Sequence, residues 1–235
     1  MIAQALHPPT IWEWVGDHTS LILSRLGQHA ELTIIAVAIG LAISLPLSIV
    51  AYRHSRVYPP ITWFTGLMYT IPSVALFVLL IPFTGLSNVT VEIGLVSYTL
   101  LILIRNIVVG LRGVSEDVKE AAVGMGYTRR QLLWRVELPM ALPAIVAGVR
   151  VATVSTVGLV TVGFIIGHGG LGELIIEGLN RFYTPEVIVG VVMSVALALV
   201  ADGLLLLLER RLTPWARSGT RVRPFLRTQT DAVTA

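Results

Sequence analysis

Five runs of about twenty residues, almost free of charge, set the limits on what this chain can fold into. They fall near 31–51, 61–83, 91–111, 144–166 and 185–208. A helix of about 20 apolar residues crosses the hydrocarbon core of a bilayer. Composition agrees, with 54% hydrophobic and only 13% charged residues, where a soluble domain carries about 25% charged. The expectation is an all-α polytopic membrane protein with about five transmembrane helices.

One long polar stretch interrupts this pattern, EAAVGMGYTRRQLLWRVELPMALP at 120–143. It reads as two short helices joined at a glycine. Ser115 is placed to cap the first, with Glu116 and Asp117 in its opening turn. Val114, Val118, Ala121, Ala122 and Met125 share one face at helical spacing. Gly126 stands where a helix ends in a left-handed residue. Thr128 and Gln131 form a capping box for the second helix, and Leu132, Leu133 and Val136 make its apolar face. Pro139 and Pro143 call for a break in the ladder. Pro72, in Ile71-Pro72-Ser73 at mid-depth of the second run, calls for a kink. Thr184 is placed to cap the last run, with Pro185 in its first turn. Trp12 and Trp14 mark an interfacial segment near the N-terminus.

Basic residues give an orientation. With the polar stretch in the cytoplasm, most of the seventeen lysines and arginines fall on that side. They are Arg53, Arg56, Arg112, Lys119, Arg129, Arg130, Arg135, Arg210, Arg211, Arg217, Arg221, Arg223 and Arg227. Only Arg25 and Arg181 fall outside. The N-terminus is then out and the C-terminus in. The formal charge of +3 flanks spans and forms no aromatic-lined patch, which argues against nucleic acid.

The spacing Glu120-Ala121-Ala122, Gly126, Val136, Leu138-Pro139 resembles the EAA loop of ABC-importer permeases, with Val136 where isoleucine is usual. Gly124 and Gly126 lie inside the same motif. Ile71-Pro72-Ser73, Arg105-Asn106 and Gly167-His168-Gly169-Gly170-Leu171-Gly172 extend the likeness over about 28–209. The features are most similar to the glycine betaine, carnitine, choline and proline subfamily. Methionine-importer permeases share the five-span plan. The resemblance implies a type I transmembrane domain at 27–209, between an extracytoplasmic interfacial segment (1–26) and a cytosolic basic tail (210–235). It implies a cytosolic coupling-helix pair in which Glu120, Ala121, Ala122, Gly124, Gly126, Leu138 and Pro139 meet an ATPase. It further implies ATPase subunits, an extracytoplasmic binding protein and a second permease, identical or homologous, in the inner membrane of a bacterium. Osmoprotectant import is the implied function. A methionine-type importer and an ATPase-independent secondary transporter are the alternatives.

Other chemistries find little support. Cysteine is absent, the five histidines show no ligand spacing, and no metal site is expected. The sole lysine, Lys119, precedes Glu120, so no phosphate-binding GK[ST] loop exists and no cofactor is expected in this chain. The motif at 167–172 matches GxGxxG but follows a membrane run, so Gly167, Gly169, Gly170 and Gly172 read as a close-packing extracytoplasmic turn before a short helix at 174–179. No Ser/His/Asp set or paired carboxylates suggest catalysis. Arg105, Arg150 and Asp202 lie inside spans at similar depth. Asp202 pairs with one of the arginines, or each arginine snorkels to the interface. Trp63, Tyr69, Phe77 and Tyr98 could face a quaternary ammonium.

Overall fold

The computed structural model describes residues 10–215, and all its regular elements are helices. Thr10 opens α1 (Ile11–Asp17) with a reciprocal capping box to Glu13. α2 (Thr19–Arg53) follows after His18. The first span was expected over 31–51, but the helix begins at Thr19. Its 35 residues reach about 52 Å, beyond a ~30 Å hydrocarbon core. Packing explains the extension: Ile22 joins Trp14, Leu171, Leu174 and Val189 in a buried cluster around the early turns.

α3 (Tyr58–Thr70) and α4 (Ser73–Thr84) meet at 96°. This is a sharper event than the expected kink. Ile71 is extended, as a residue before proline prefers, and Pro72 caps α4. The Tyr98 hydroxyl donates to the Ile71 carbonyl, which the break between the two helices leaves without a backbone partner. With 13 and 12 residues, neither piece alone exceeds about 20 Å.

α5 (Asn88–Arg112) is the central helix. Its Val91 and Leu95 join Leu32, Ala36, Phe77 and Val160 in one core. Its Leu103, Ile107 and Leu111 join Leu133, Ala141 and Ile145 in another. α2 crosses α5 closely because Gly40 lacks a side chain; a Cβ there would lie 2.0 Å from Thr99 Oγ1. Small residues serve helix contacts in membranes in this way.

The polar stretch forms α6 (Glu116–Gly124) and α7 (Arg129–Leu132). α7 is not a separate short helix. It runs through a π turn (Leu133–Glu137) into α8 (Leu138–Val160) and on through a 3₁₀ segment (Thr161–Ile166). The break expected from Pro139 and Pro143 takes the form of that π turn, where the Leu138 N–H reaches the Leu133 carbonyl. Pro139 falls in the first turn of α8, and Pro143 lies inside it. α9 is longer than expected, Leu171–Asn180, and α10 spans Thr184–Leu212. Among the described residues four helices are long and apolar enough to cross a membrane, and the bent α3–α4 pair counts as a fifth when taken as one span.

Two capping expectations need correction. Ser115 occupies the N-cap of α6, yet its hydroxyl makes no capping bond. Thr184 is the first helical residue of α10, and Tyr183 holds the cap position. The basic tail expected beyond Trp215 lies outside the described residues.

Contacts sort the helix ends onto two sides. The end of α2 reaches the π turn through Tyr52 and Glu137, and Arg112 at the end of α5 lies over the Tyr58 ring of α3. These ends, with α6 and α7, form the elbow side. α1, α9 and the start of α10 pack together on the opposite, far side.

Candidate functional site

The elbow is built by two local motifs. At the end of α6, Gly126 takes φ +84°. The Tyr127 N–H reaches the Ala122 carbonyl at 3.1 Å, and the Gly126 N–H reaches the Val123 carbonyl at 2.9 Å. This is a complete Schellman motif, which turns the chain sharply. Two residues on, Thr128 and Gln131 cap each other and start α7.

The tip so formed is bare. Glu120, Ala121 and Gly124 are exposed, as are Val123 and Met125. Nothing lies within 4 Å of a Cβ placed on Gly124 or Gly126. The face expected to turn inward is therefore split. Val114 and Ala122 are buried, whereas Ala121 and Met125 point out. Leu138 packs inward against the second core cluster, and Pro139 is half-buried. The motif residues thus separate into an exposed group on α6 and a seated group at the root of α8.

That root is tied down by polar contacts the sequence did not reveal. The Tyr52 hydroxyl donates to the buried Glu137 carboxylate at 2.7 Å. Lys119 binds Glu116 at 2.8 Å and lies over the Tyr52 ring. Burial alone would pull the Lys119 ammonium down, but its bonds to Glu116 and Tyr52 outweigh this and hold it above the ordinary lysine value.

On the far side the glycine loop closes against α2 and the end of α8. Gly167 and Gly170 are left-handed, with φ +73° and +53°. A Cβ on Gly169 would lie 2.4 Å from the Phe164 nitrogen, and one on Gly172 would lie 2.3 Å from the Thr161 carbonyl oxygen. His29, fully buried, clasps the loop. Its Nε2 donates to the Val157 carbonyl at 2.9 Å, and its Nδ1 accepts from the Leu171 N–H at 3.3 Å. A carbonyl only accepts and an N–H only donates, so the tautomer is Nε2–H. His168 bonds to the Ile166 carbonyl through Nδ1 at 2.7 Å. Glu173 accepts from the Gly169 N–H and pairs with Arg25.

Of the intramembrane charges, the structure joins Arg150 to Asp202. Nε and Nη2 donate to the two carboxylate oxygens at 2.8 and 2.9 Å, and Nη1 reaches Glu209 at 3.4 Å. Arg105 is exposed on α5 and takes no part. Among the four aromatics singled out, Tyr69 and Tyr98 meet edge to face at 5.5 Å beside the Ile71–Pro72 break. They line an open crevice of about 430 Å³ with Ser73 and Ser155. Phe77 is buried in the core and Trp63 is exposed elsewhere.

A bundle with a broken second span and an exposed helical elbow defines a class, and comparison with known proteins identifies it. Residues 40–214 match the family described as binding-protein-dependent transport system inner membrane component. The chain belongs to this family and is an inner-membrane transport component. It is 34% identical over 201 residues to the glycine betaine/carnitine/choline transport system permease protein OpuCB of Bacillus subtilis, covering 85% of this chain and 92% of that one. It is 37% identical over 194 residues to the choline transport system permease protein OpuBB of the same organism, covering 82% and 89%. It is 36% identical over 203 residues to the osmoprotectant import permease protein OsmW of Salmonella typhimurium, covering 84% and 94%. Among solved structures, the inward-facing MetNI methionine ABC transporter matches with a TM-score of 0.74 at 22% identity, over 84% of this chain and 98% of that one. At that identity the match speaks for the fold alone.

Proposed function

We propose that this chain is the permease subunit of an ATP-driven importer of small osmoprotectants of the glycine betaine, carnitine, choline or proline type. The observation that carries the ATP-driven part is the bare elbow tip. Ala121, Val123, Gly124 and Met125 offer a small, apolar, protruding surface beside the Glu120 carboxylate. Such a surface is suited to a cleft on another subunit, with Glu120 supplying a charge-assisted contact. The chain has no phosphate loop of its own, so hydrolysis belongs to a separate ATPase. The solute class is supported by the three relatives, each a permease for solutes of this kind.

In this reading the elbow is cytosolic, the glycine loop faces outward, and a binding protein delivers solute there. A second permease, identical or homologous, completes the pathway. ATP-driven closure of the ATPases moves the elbow, and α3 and α4 yield at Pro72. The states must differ in their contacts at the tip for this to do work.

The test is uptake into reconstituted vesicles with betaine, choline, proline and methionine offered in competition. Uptake should require both the binding protein and ATP, and should prefer the first three solutes. Gly126→Asp or Glu120→Arg should abolish it while the protein stays in the membrane. Full-speed uptake without an ATPase, or with either variant, overturns the reading.

A further inference from the structure

A second cavity lies on the far side, away from both the elbow and the α3–α4 break. It has a volume of about 630 Å³ and opens outward between α1, the start of α2, α9 and α10. That volume is ordinary for a small-molecule site. Trp14, His18, Glu177, Arg181, Tyr183 and Glu186 line it.

Its walls are aromatic. The Trp14 ring stacks on His18 at 4.6 Å and tilts at 57° toward the Tyr183 ring, 6.2 Å away. Tyr183 is held there by a tight turn. Its N–H bonds to the Gly178 carbonyl at 2.7 Å, while Phe182 takes the left-handed conformation at φ +55° that a glycine normally occupies. Phe182 itself is almost wholly exposed. A non-glycine residue in this conformation is strained, and strain of this kind clusters at ligand sites.

Charge in the cavity is unbalanced. Arg181 pairs with Glu177 at 3.6 Å at the rim. Glu186 is 3% exposed, lines the cavity, and has no hydrogen bond or ion pair among the described residues. The Tyr183 hydroxyl is likewise buried without a partner. Arg181 and His18 act on Glu186 from a distance without bonding to it, which leaves its carboxylate open to direct contact with a cation in the cavity. No cluster of three or more acidic or histidine side chains suited to a metal ion occurs among the described residues.

We infer that this cavity binds a small trimethylammonium cation, with the Trp14 and Tyr183 rings around its methyl groups and Glu186 as its counter-charge. The choice of a quaternary over a primary ammonium follows from hydrogen-bond supply. A primary ammonium needs acceptors for three N–H groups. Here the open acceptors are the Glu186 carboxylate and the Tyr183 hydroxyl, and ring faces make up much of the remaining wall. A quaternary ammonium has no N–H to satisfy and gains from aromatic faces. That the cavity faces the side of solute delivery rests on the orientation proposed above. The cation is a free solute or a choline lipid headgroup, since both carry the same group.

The test uses the purified full-length protein in nanodiscs of phosphatidylglycerol, which contain no choline. Radiolabelled choline is titrated by equilibrium dialysis, with its uncharged tert-butyl analogue, n-butylammonium and sodium as competitors. Saturable choline binding is expected, competed by tetramethylammonium and at least about tenfold less well by the three controls. Glu186→Gln and Trp14→Leu should each weaken binding by about tenfold or more. Should a variant fail to fold, the wild-type competition alone decides: absent binding, or equal displacement by the tert-butyl analogue or by n-butylammonium, overturns the site. Repeating the titration in phosphatidylcholine discs identifies the occupant. Weakened choline binding there assigns the site to the lipid headgroup, and unchanged binding assigns it to free solute. Binding persists even if no ATP-driven uptake is found, so this test and that of the transport function fail separately.

Discussion

The Tyr52 hydroxyl donates to the Glu137 carboxylate at 2.7 Å, which fastens the end of the first long helix to the π turn at the root of the elbow. Glu137 is buried, so losing this donor leaves a charged group short of a partner. Tyr52→Phe should lower stability by about 1–3 kcal/mol. Unfolding followed in detergent by helix content measures this. An unshifted midpoint would show that the bond does not hold the root in place.

The Arg150–Asp202 pair predicts non-additivity. Asp202→Asn and Arg150→Gln should each lower the unfolding midpoint, because each leaves a partner without its bidentate bond. The double variant should lose less than the two single losses combined. Plain additivity would mean that the two side chains lie close without supporting one another.

Gly124 and Gly126 separate docking from folding. Gly124 is helical with open space around it, so Gly124→Ala should stabilise α6 by about 0.5–1 kcal/mol. It should nevertheless reduce ATP-driven uptake, because it adds a methyl group to the tip. Gly126→Ala forces a side chain into φ +84° at a cost of roughly 1–2 kcal/mol. Full uptake by Gly124→Ala would place the docking surface elsewhere.

The glycine loop orders two further variants. Gly167 is left-handed but has nothing within 4 Å of a Cβ, so Gly167→Ala should cost only the conformational roughly 1–2 kcal/mol. A Cβ on Gly172 meets a backbone oxygen at 2.3 Å, which must be moved at about 3 kcal/mol or more. Midpoints should fall from wild type to Gly167→Ala to Gly172→Ala. The reverse order would mean that α9 is free to shift away from the end of α8.

Local chemistry made much of this readable in the sequence. Apolar run length marked the spans. The turn at Gly126 and the box at Thr128 and Gln131 are written in residues that touch each other along the chain. What was hidden depends on distant partners. The first long helix, α2, starts as early as Thr19 because Trp14, Leu171 and Leu174 cover its early turns. The 96° break at Pro72 exceeds what one proline demands, and Tyr98, far along the chain, holds the freed carbonyl. A lone histidine in a mixed segment gave no hint that His29 clasps two backbones. The candidate elbow was legible as a motif. Its division into bare and seated residues needed the packing.

The helical run from Arg129 through Ile166 has one further consequence. It is 38 residues of unbroken backbone, about 57 Å from end to end, with the elbow at one extremity and the His29 clasp near the other. Its α-helical middle, α8, is bounded by the π turn on the elbow side and by the 3₁₀ segment on the far side, the two places where the run can bend. Between those two points α8 is one continuous helix, so the elbow root held by Tyr52 and the loop clasped by His29 share a single structural member.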